Sequence, residues 1–503
     1  MKKIVFAIFI VFAFLLIFVS CKGENTDTAG VSGSETPGIE DNAHSGEESV
    51  LPGRERISTE YLPTTDYGGF EYWILSFGDA NNPVQENFDI IAEEQNGESL
   101  NDAVYLRNIA VEERFNIKIK DKHALDGNNY NTLLNNAVRS QDETYSLATL
   151  QMVSALPNMV AGCFCDLYKV PIIDLKQPWY LQQGIEQMSV GGGLFAVLSE
   201  MLVSPYGATW LVLFNKDLHK DYNLADPYEM VKKGTWTLDA LHEMAKTGTK
   251  DLDGDEILGP LDQYGIVSPL DGLLALLIGG GGEAGTKTKD TYSVTFNNEK
   301  NINIFYKIFE FFYDENVTLN INKPANLPAL GGSTTQGTQS VLSRGAALFM
   351  ISRMNNMKLA REVDHDYGML PIPKLNEKQQ NYRNYTSPNQ THGLAVPVST
   401  PDLDRSAVIM EALSAESRYT VIPAFVENML KIKLARDNES AEMIPYILEN
   451  TFIDPLFMYD YGGIQTHIWN LSLKNDTNIQ SLYEKILPVV ESAIENMRKA
   501  LDN

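Results

Sequence analysis

The most metal-like spacing in the chain is Asp251-Leu252-Asp253-Gly254-Asp255-Glu256-Ile257, with Asp262 further on. Alternate aspartates in a tight loop direct several hard oxygens at one point, as calcium requires, and Asp262 stands where the closing acid of a twelve-residue calcium loop would stand. Glu256 replaces the glycine that makes the sharp turn, and an aspartate at the last position reaches less far than a bidentate glutamate. The pattern fits either a structural calcium site on Asp251, Asp253, Asp255 and Asp262 or a solvated acidic turn. No other cofactor is implied.

Spacings that would carry catalysis are missing. His242-Glu243-Met244-Ala245-Lys246 begins like a zinc-protease helix but lacks the second histidine, so it cannot set two imidazoles on one face. Gly279 to Gly282, followed by Gly285-Thr286-Lys287-Thr288, lacks the lysine directly after the last glycine that a phosphate loop needs, and reads as a turn. No G-x-S-x-G elbow occurs, and the seven histidines are scattered without metal-ligand pairing. Cys163 and Cys165, one residue apart, suit neither a disulfide nor a zinc site and read as ordinary thiols. An enzyme is not expected.

The elements that must position any site alternate. Phe70 to Phe77 reads as a strand, Asn101 to Phe115 as a helix with Leu100, Val104, Val111 and Phe115 on one stripe, and Asn116 to Lys120 as a strand again. This β-α-β opening favours a parallel sheet. Further strands are expected over Tyr145 to Met152, Trp210 to Phe214, Ala346 to Ile351 and Gly393 to Val396, and a long final helix from about Asn478 to Leu501, kinked at Pro488. Trp73 and Trp236 fall within regular elements and read as core, and Asn101 and Asp102 as caps of the helix they open.

At the front, Lys2 and Lys3 precede an uninterrupted apolar run from Ile4 to Val19, and Cys21 follows the small Ser20. That is the layout of a bacterial lipoprotein signal, cut before Cys21 to leave its thiol free for a diacylglycerol. The run is shorter than the roughly 20 residues of a comfortable spanning helix. Phe18 departs from the aliphatic residue usual three positions before the cysteine. Residues 1–20 are read as the signal and 21–65 as a disordered tether poor in apolar residues, with folding beginning near Asp66. The protein is expected on the outer face of the cell membrane, held by lipid.

The chain is long enough for two or three domains, and 44% hydrophobic residues with 10% aromatics is ordinary for packed globular protein. A formal net charge of -26 repels phosphate backbones, which excludes nucleic acid as a partner.

Several blocks, in order, resemble extracellular solute-binding proteins of ABC importers, the family that includes maltose-binding protein. Leu213-Phe214-Asn215-Lys216-Asp217-Leu218 is similar to the family's strand and N-K-D-L turn, and Gly234-Thr235-Trp236-Thr237-Leu238-Asp239-Ala240-Leu241 to its T-W-x-x-x-x-L helix start. Gly345 to Met350 resembles its G-x-A-A-M strand, and Tyr367 to Lys374 its Y-G-x-x-P-x-P stretch. Leu100 to Asn108 and Ala435 to Ser440 resemble a clostridial-type subgroup of lipoproteins.

The resemblance implies an α/β, two-lobed periplasmic-binding-protein-like (type II) fold with a hinge of crossing segments. On that plan lobe one is 66–205 plus 337–387, and lobe two is 206–336 plus 388–503, with crossings near 204–209, 335–343 and 385–392. It also implies capture of a carbohydrate, mono- or oligosaccharide, for delivery to ABC permease subunits. Aromatic faces cover a pyranose while polar groups bind its hydroxyls, so ligand contacts should lie at crossings and strand ends. Phe77, Asp79, Tyr206, Trp210, Arg353, Asn355, Asn389 and His392 are the expected contacts, and Trp179, Tyr461 and Trp469 weaker ones. The alternatives are a surface-anchored glycan-processing enzyme, which needs a carboxylate pair, or a passive adhesion lipoprotein.

Overall fold

The computed structural model describes residues 54–78, 89–288, 291–360, 363–431 and 438–501. The signal segment, Cys21 and Asp79 lie outside the described residues. In chain order the strands are β1 (Phe70–Ser76), β2 (Ile117–His123), β3 (Tyr145–Gln151), β4 (Trp210–Asn215), β5 (Tyr264–Ser268), β6 (Gly285–Thr288), β7 (Thr291–Val294), β8 (Thr318–Asn320), β9 (Ala347–Arg353), β10 (Tyr367–Leu370), β11 (Asn384–Tyr385), β12 (His392–Ala395) and β13 (Thr451–Phe452).

Two sheets organise the molecule, one per lobe. The first runs β12-β3-β1-β2, with β1 parallel to both β2 and β3 and β12 antiparallel on β3. The helix Ser99–Phe115 makes the crossover between β1 and β2. Its N-cap is Glu98, whose carboxylate accepts the Asn101 N–H at 2.7 Å, while Asp102 instead holds the preceding turn through the Asn96 N–H at 2.8 Å. Its C-terminus closes on Asn116 at φ 47°, a left-handed cap that asparagine tolerates. The second sheet runs β10-β4-β9-β5-β8, with β4 antiparallel to both neighbours and β5 parallel to β9 and β8.

This pairing changes the expected division. Segment 337–387, expected in the first lobe, supplies β9 and β10 to the second sheet beside β4. Segment 388–503, expected in the second, supplies β12 to the first sheet and the helix Leu403–Tyr419 behind it, where Ser406 accepts the buried Tyr72 hydroxyl at 3.0 Å. Residues 335–343 are no crossing: they lie in the helix Thr334–Arg344, which feeds β9 of the same sheet as β5 and β8. A strand's alternation shows that it pairs, but not with which distant segment.

The other two expected crossings lie side by side. Thr209 and Thr386 form an antiparallel bridge, and Ser387 N donates to Ala208 O at 3.0 Å. The helix Val421–Lys431 packs its Val421 and Ala424 on Ala103 and Val104 of the first lobe, and the helix Asn438–Glu449 lies on the second, where Ser440 meets the Tyr228 hydroxyl at 2.7 Å. The final helix, Ile479–Leu501, carries Pro488 inside it and buries Ile479, Leu482, Ile486, Val490, Ile494 and Met497 on one stripe.

The expected tether also ends earlier than residue 65. Residues 54–62 form a docked strap along the helix Leu403–Tyr419. Arg56 pairs with Glu416, Ile57 N donates to the Tyr419 hydroxyl at 2.8 Å, and Arg114 grips Thr59 through its hydroxyl and carbonyl, both at 2.8 Å. Leu62 is buried in the core. A low apolar content hides this docking because polar side chains make most of it.

Among the described residues no helix is long and apolar enough to cross a membrane.

Candidate binding site at the hinge

Both sheets turn the ends of their parallel strands toward the crossings, where ligands of open α/β sheets bind. From the first lobe come Phe77, directly after β1, and Gln151, which ends β3. From the second come Trp210 at the start of β4, Arg353 at the end of β9, and Asp271 three residues past β5. The crossings add Tyr385, Asn389, Gln390 and His392.

Antiparallel register sets Trp210 opposite Arg353, and the guanidinium carbon lies 4.9 Å from the indole centroid. Arg353 Nη1 donates to Asp271 Oδ2 at 2.7 Å, so this corner of the second lobe is an ion pair resting on an aromatic face. The amides around the third crossing interlock. Asn355 Nδ2 donates to Gln390 Oε1 at 2.7 Å, Gln151 Nε2 to Asn389 O at 2.6 Å, and Asn389 Nδ2 to Gln465 Oε1 at 3.2 Å.

Several buried polar atoms here have no partner among the described residues: Trp210 Nε1, Arg353 Nε, Asn355 Oδ1, Tyr385 Oη and both ring nitrogens of His392. Each such atom carries a desolvation cost with no compensating bond. Burial drives the Tyr385 hydroxyl well above its ordinary pKa, and the carboxylates of Asp454, Asp271 and Asp460 add to that. The hydroxyl therefore keeps its proton as a free donor. Burial pushes His392 down to about 3, so its imidazole is neutral and presents one donor and one acceptor. Its ring centroid lies 5.4 Å from that of Phe77, and its backbone N–H donates to the Ser204 hydroxyl at 3.0 Å.

The structure thus draws Phe77, Trp210, Arg353, Asn355, Asn389 and His392 to the hinge, and gives Tyr206, Trp179, Tyr461 and Trp469 other surroundings. Tyr206 commits its hydroxyl to Glu200 Oε1 at 2.7 Å. Trp179 is fully buried and donates to Glu411 Oε1 at 3.2 Å, which makes it core. Tyr461 is fully buried like Trp210, its ring 5.7 Å from Tyr292 and 6.0 Å from Tyr459, and its hydroxyl too has no partner among the described residues. Trp469 is half-buried on the helix Ile464–Lys474, with its Nε1 unpartnered among the described residues. Asp271, Tyr385, Gln390 and Gln465 carry no motif. Tyr385 and Gln390 fall inside the expected crossing 385–392 and Asp271 lies just past a strand, whereas Gln465 has no such positional signal.

A Ser–His–Asp grouping stands at the ends of β1 and β2 but is not a catalytic relay. Ser76 donates to Asp121 Oδ1 at 2.6 Å while His123 Nδ1 sits 3.1 Å from the same hydroxyl, and the serine is fully buried. In a relay the carboxylate would hold the far side of the imidazole and leave the hydroxyl to the histidine.

In the acidic loop, ligand oxygens of Asp251, Asp253 and Asp255 lie within 4.8 Å of one another. Asp262 stands apart from that group. It is buried, and its two oxygens accept the Leu252 N–H at 2.8 Å and the Gly259 N–H at 2.7 Å, tying the loop to its own base. Glu256 adopts φ 65° where a glycine would serve, next to Gly254 at φ 79°. The Asp255 N–H lowers the Asp253 pKa, but desolvation and the charges of Asp255, Asp262 and Asp251 outweigh it and leave a net rise.

No protein-family model matches the chain, and no curated protein sequence does. Solved structures do. A cyclo/maltodextrin-binding protein complexed with maltotetraose aligns at TM-score 0.55 and 12% identity, over 86% of this chain and 98% of that one. The ABC substrate-binding protein Lmo0181 from Listeria monocytogenes, in complex with cycloalternan, aligns at 0.52 and 13%, over 86% and 99%. An ABC transporter solute-binding protein from Thermotoga lettingae, bound with alpha-D-tagatose, aligns at 0.52 and 14%, over 86% and 100%. The chain has the two-lobed α/β fold of these proteins.

Proposed function

We propose that this chain, built on the fold of ABC solute-binding proteins, captures a carbohydrate between its lobes and delivers it to an importer's permease. The carrying observation is the set of buried donors and acceptors at the hinge that have no partner among the described residues, on Trp210, Arg353, Asn355, Tyr385 and His392. Hydroxyl groups donate and accept at once, so a polyhydroxylated ligand is the solute class that satisfies such a mixed set. Trp210 and Phe77 add aromatic faces for its C–H surface. The sugars bound by the structurally similar proteins agree with this reading.

The role is binding without chemistry. Asp271 is held by Arg353, and Ser76 and His123 lack relay geometry. Working outside the cytoplasm fits the proposal, with Cys21 as the lipid-bearing residue and the membrane reached through that lipid. A calcium ion on Asp251, Asp253 and Asp255 would stiffen the loop at the start of β5 by neutralising its clustered charge.

A thermal-shift panel of mono- and oligosaccharides tests the reading. A sugar at a hundred times its dissociation constant should add about 2.7 kcal/mol of stability. If no sugar in the panel raises the melting temperature, the carbohydrate reading is wrong.

A further inference from the structure

The strap and the hinge meet at one buried carboxylate. Glu200 lies just before the hinge helix Ser204–Gly207, and its side chain is 1% exposed. Oε1 accepts Arg54 Nη2 at 2.9 Å, the Tyr206 hydroxyl at 2.7 Å and Arg418 Nη1 at 3.0 Å, while Oε2 accepts Arg418 Nη1 at 2.9 Å. Arg54 also donates to the Arg418 carbonyl at 2.9 Å. Three separate parts of the chain therefore share Glu200: the strap through Arg54, the first-lobe helix Leu403–Tyr419 through Arg418, and the hinge helix through Tyr206.

The hinge helix is where a small displacement would be felt by both lobes. Its Ser204 hydroxyl accepts the backbone N–H of His392 on the neighbouring crossing at 3.0 Å. Directly after it, Ala208 O accepts Ser387 N at 3.0 Å and Thr209 O accepts Met354 N at 2.9 Å, past the end of β9. Gly207 leaves no slack, because a Cβ there would sit 3.3 Å from the Asn355 side chain. The hinge helix thus touches the other crossing and the second lobe at once.

We propose that the strap is a hinge clamp: Arg54, acting through Glu200, positions Tyr206 and so couples docking of the N-terminal segment to the opening of the lobes. Arg54 is a positioning residue in this scheme. Because coupling between two sites is reciprocal, whatever displaces the strap loosens the hinge, and whatever moves the hinge helix weakens strap docking. Strap docking elsewhere rests on contacts that do not reach Glu200, chiefly Arg56 on Glu416 and Arg114 on Thr59. That separation makes the coupling measurable.

Hydrogen exchange on the full mature chain provides the test, read at the amides of 204–209 and 385–392 and, for reference, of β3 and β4. Arg54→Gln should speed exchange at the crossings at least tenfold and leave the strand interiors unchanged, whereas Arg56→Ala should leave the crossings within twofold of wild type. On a Tyr206→Phe background, Arg54→Gln should add little at the crossings, because the link it acts through is already cut. Crossings unmoved by Arg54→Gln, an equal response to Arg56→Ala, or full additivity with Tyr206→Phe would each overturn the clamp.

Discussion

The two sides of the hinge treat buried polar groups in opposite ways. On the strap side, the oxygens of Glu200 are shared by Arg54, Arg418 and Tyr206, and of that cluster's fully buried side-chain atoms only Arg418 Nε lacks a partner among the described residues. On the side where the strand ends meet, Trp210, Arg353, Asn355, Tyr385 and His392 all bury atoms that nothing in the described chain satisfies. A satisfied buried network specifies a structure, whereas an unsatisfied one costs stability and persists where something else completes it. The first side therefore reads as framework and the second as a place for a ligand.

The largest effect should come from breaking the framework. Glu200→Ala strips Arg54, Arg418 and Tyr206 of their common acceptor and should cost about 3–5 kcal/mol, measured by urea denaturation. A loss below about 1 kcal/mol would mean that the cluster is no more than a surface ion pair.

The same contrast should show in pH dependence, with slopes of opposite sign. On the strap side Glu411 accepts from Tyr61 at 2.6 Å, from Tyr180 and from Trp179, and burial pushes it up to about 7 from 4.5, with the charge of Asp174 adding to the rise. The native state then holds that proton more tightly than the unfolded chain. Its contribution is complete below pH 4.5 and is lost as the pH rises to about 7, up to ~3 kcal/mol at about 1.4 kcal/mol per pH unit. For His392, held down at about 3 against 6.5, the unfolded chain takes the proton first, so stability is lost as the pH falls through that window. Urea midpoints in a pH series should show Glu411→Gln flattening the first slope and His392→Phe the second. Unchanged profiles would place both groups in contact with water.

Removing an unpartnered group should act differently from removing a satisfied one. Trp210→Phe deletes an indole N–H that bonds to nothing in the described chain, so ligand-free stability should fall only by the packing loss of a smaller buried ring, about 1–2 kcal/mol, while affinity for the sugar identified in the thermal-shift panel falls by about 3 kcal/mol, read by calorimetry. Equal losses in both would make Trp210 framework like Glu200.

The smallest effect belongs to the acidic loop. Calcium at ten times its dissociation constant should add about 1.4 kcal/mol, and Asp253→Asn should abolish that gain. A melting temperature indifferent to calcium would leave the loop a solvated turn.

Much of the element pattern was legible from residue types. The β-branched and aromatic runs at Phe70–Ser76 and Trp210–Asn215 and the stripe of the last helix appear where periodicity puts them. The lobe division was not legible, because β9 and β10 join β4 across more than a hundred residues and either sheet would accept such apolar strands. Tyr206 and Trp210 illustrate the same limit at the site. Both aromatics fall at the first crossing, yet a few residues of backbone rotation send one hydroxyl to Glu200 and leave the other ring under Arg353.

By itself the sequence determined the local facts: which segments form strands and helices, the acidic surface, the acidic loop, and the absence of catalytic spacings. Those depend on periodicity and side-chain chemistry within a few residues of one another. Tertiary structure alone decided which sheet each strand joins, that residues 54–62 dock rather than drift, and which polar groups end buried without partners. Each of these depends on segments from tens to hundreds of positions apart meeting in space, where desolvation and hydrogen-bond geometry, rather than composition, set the outcome.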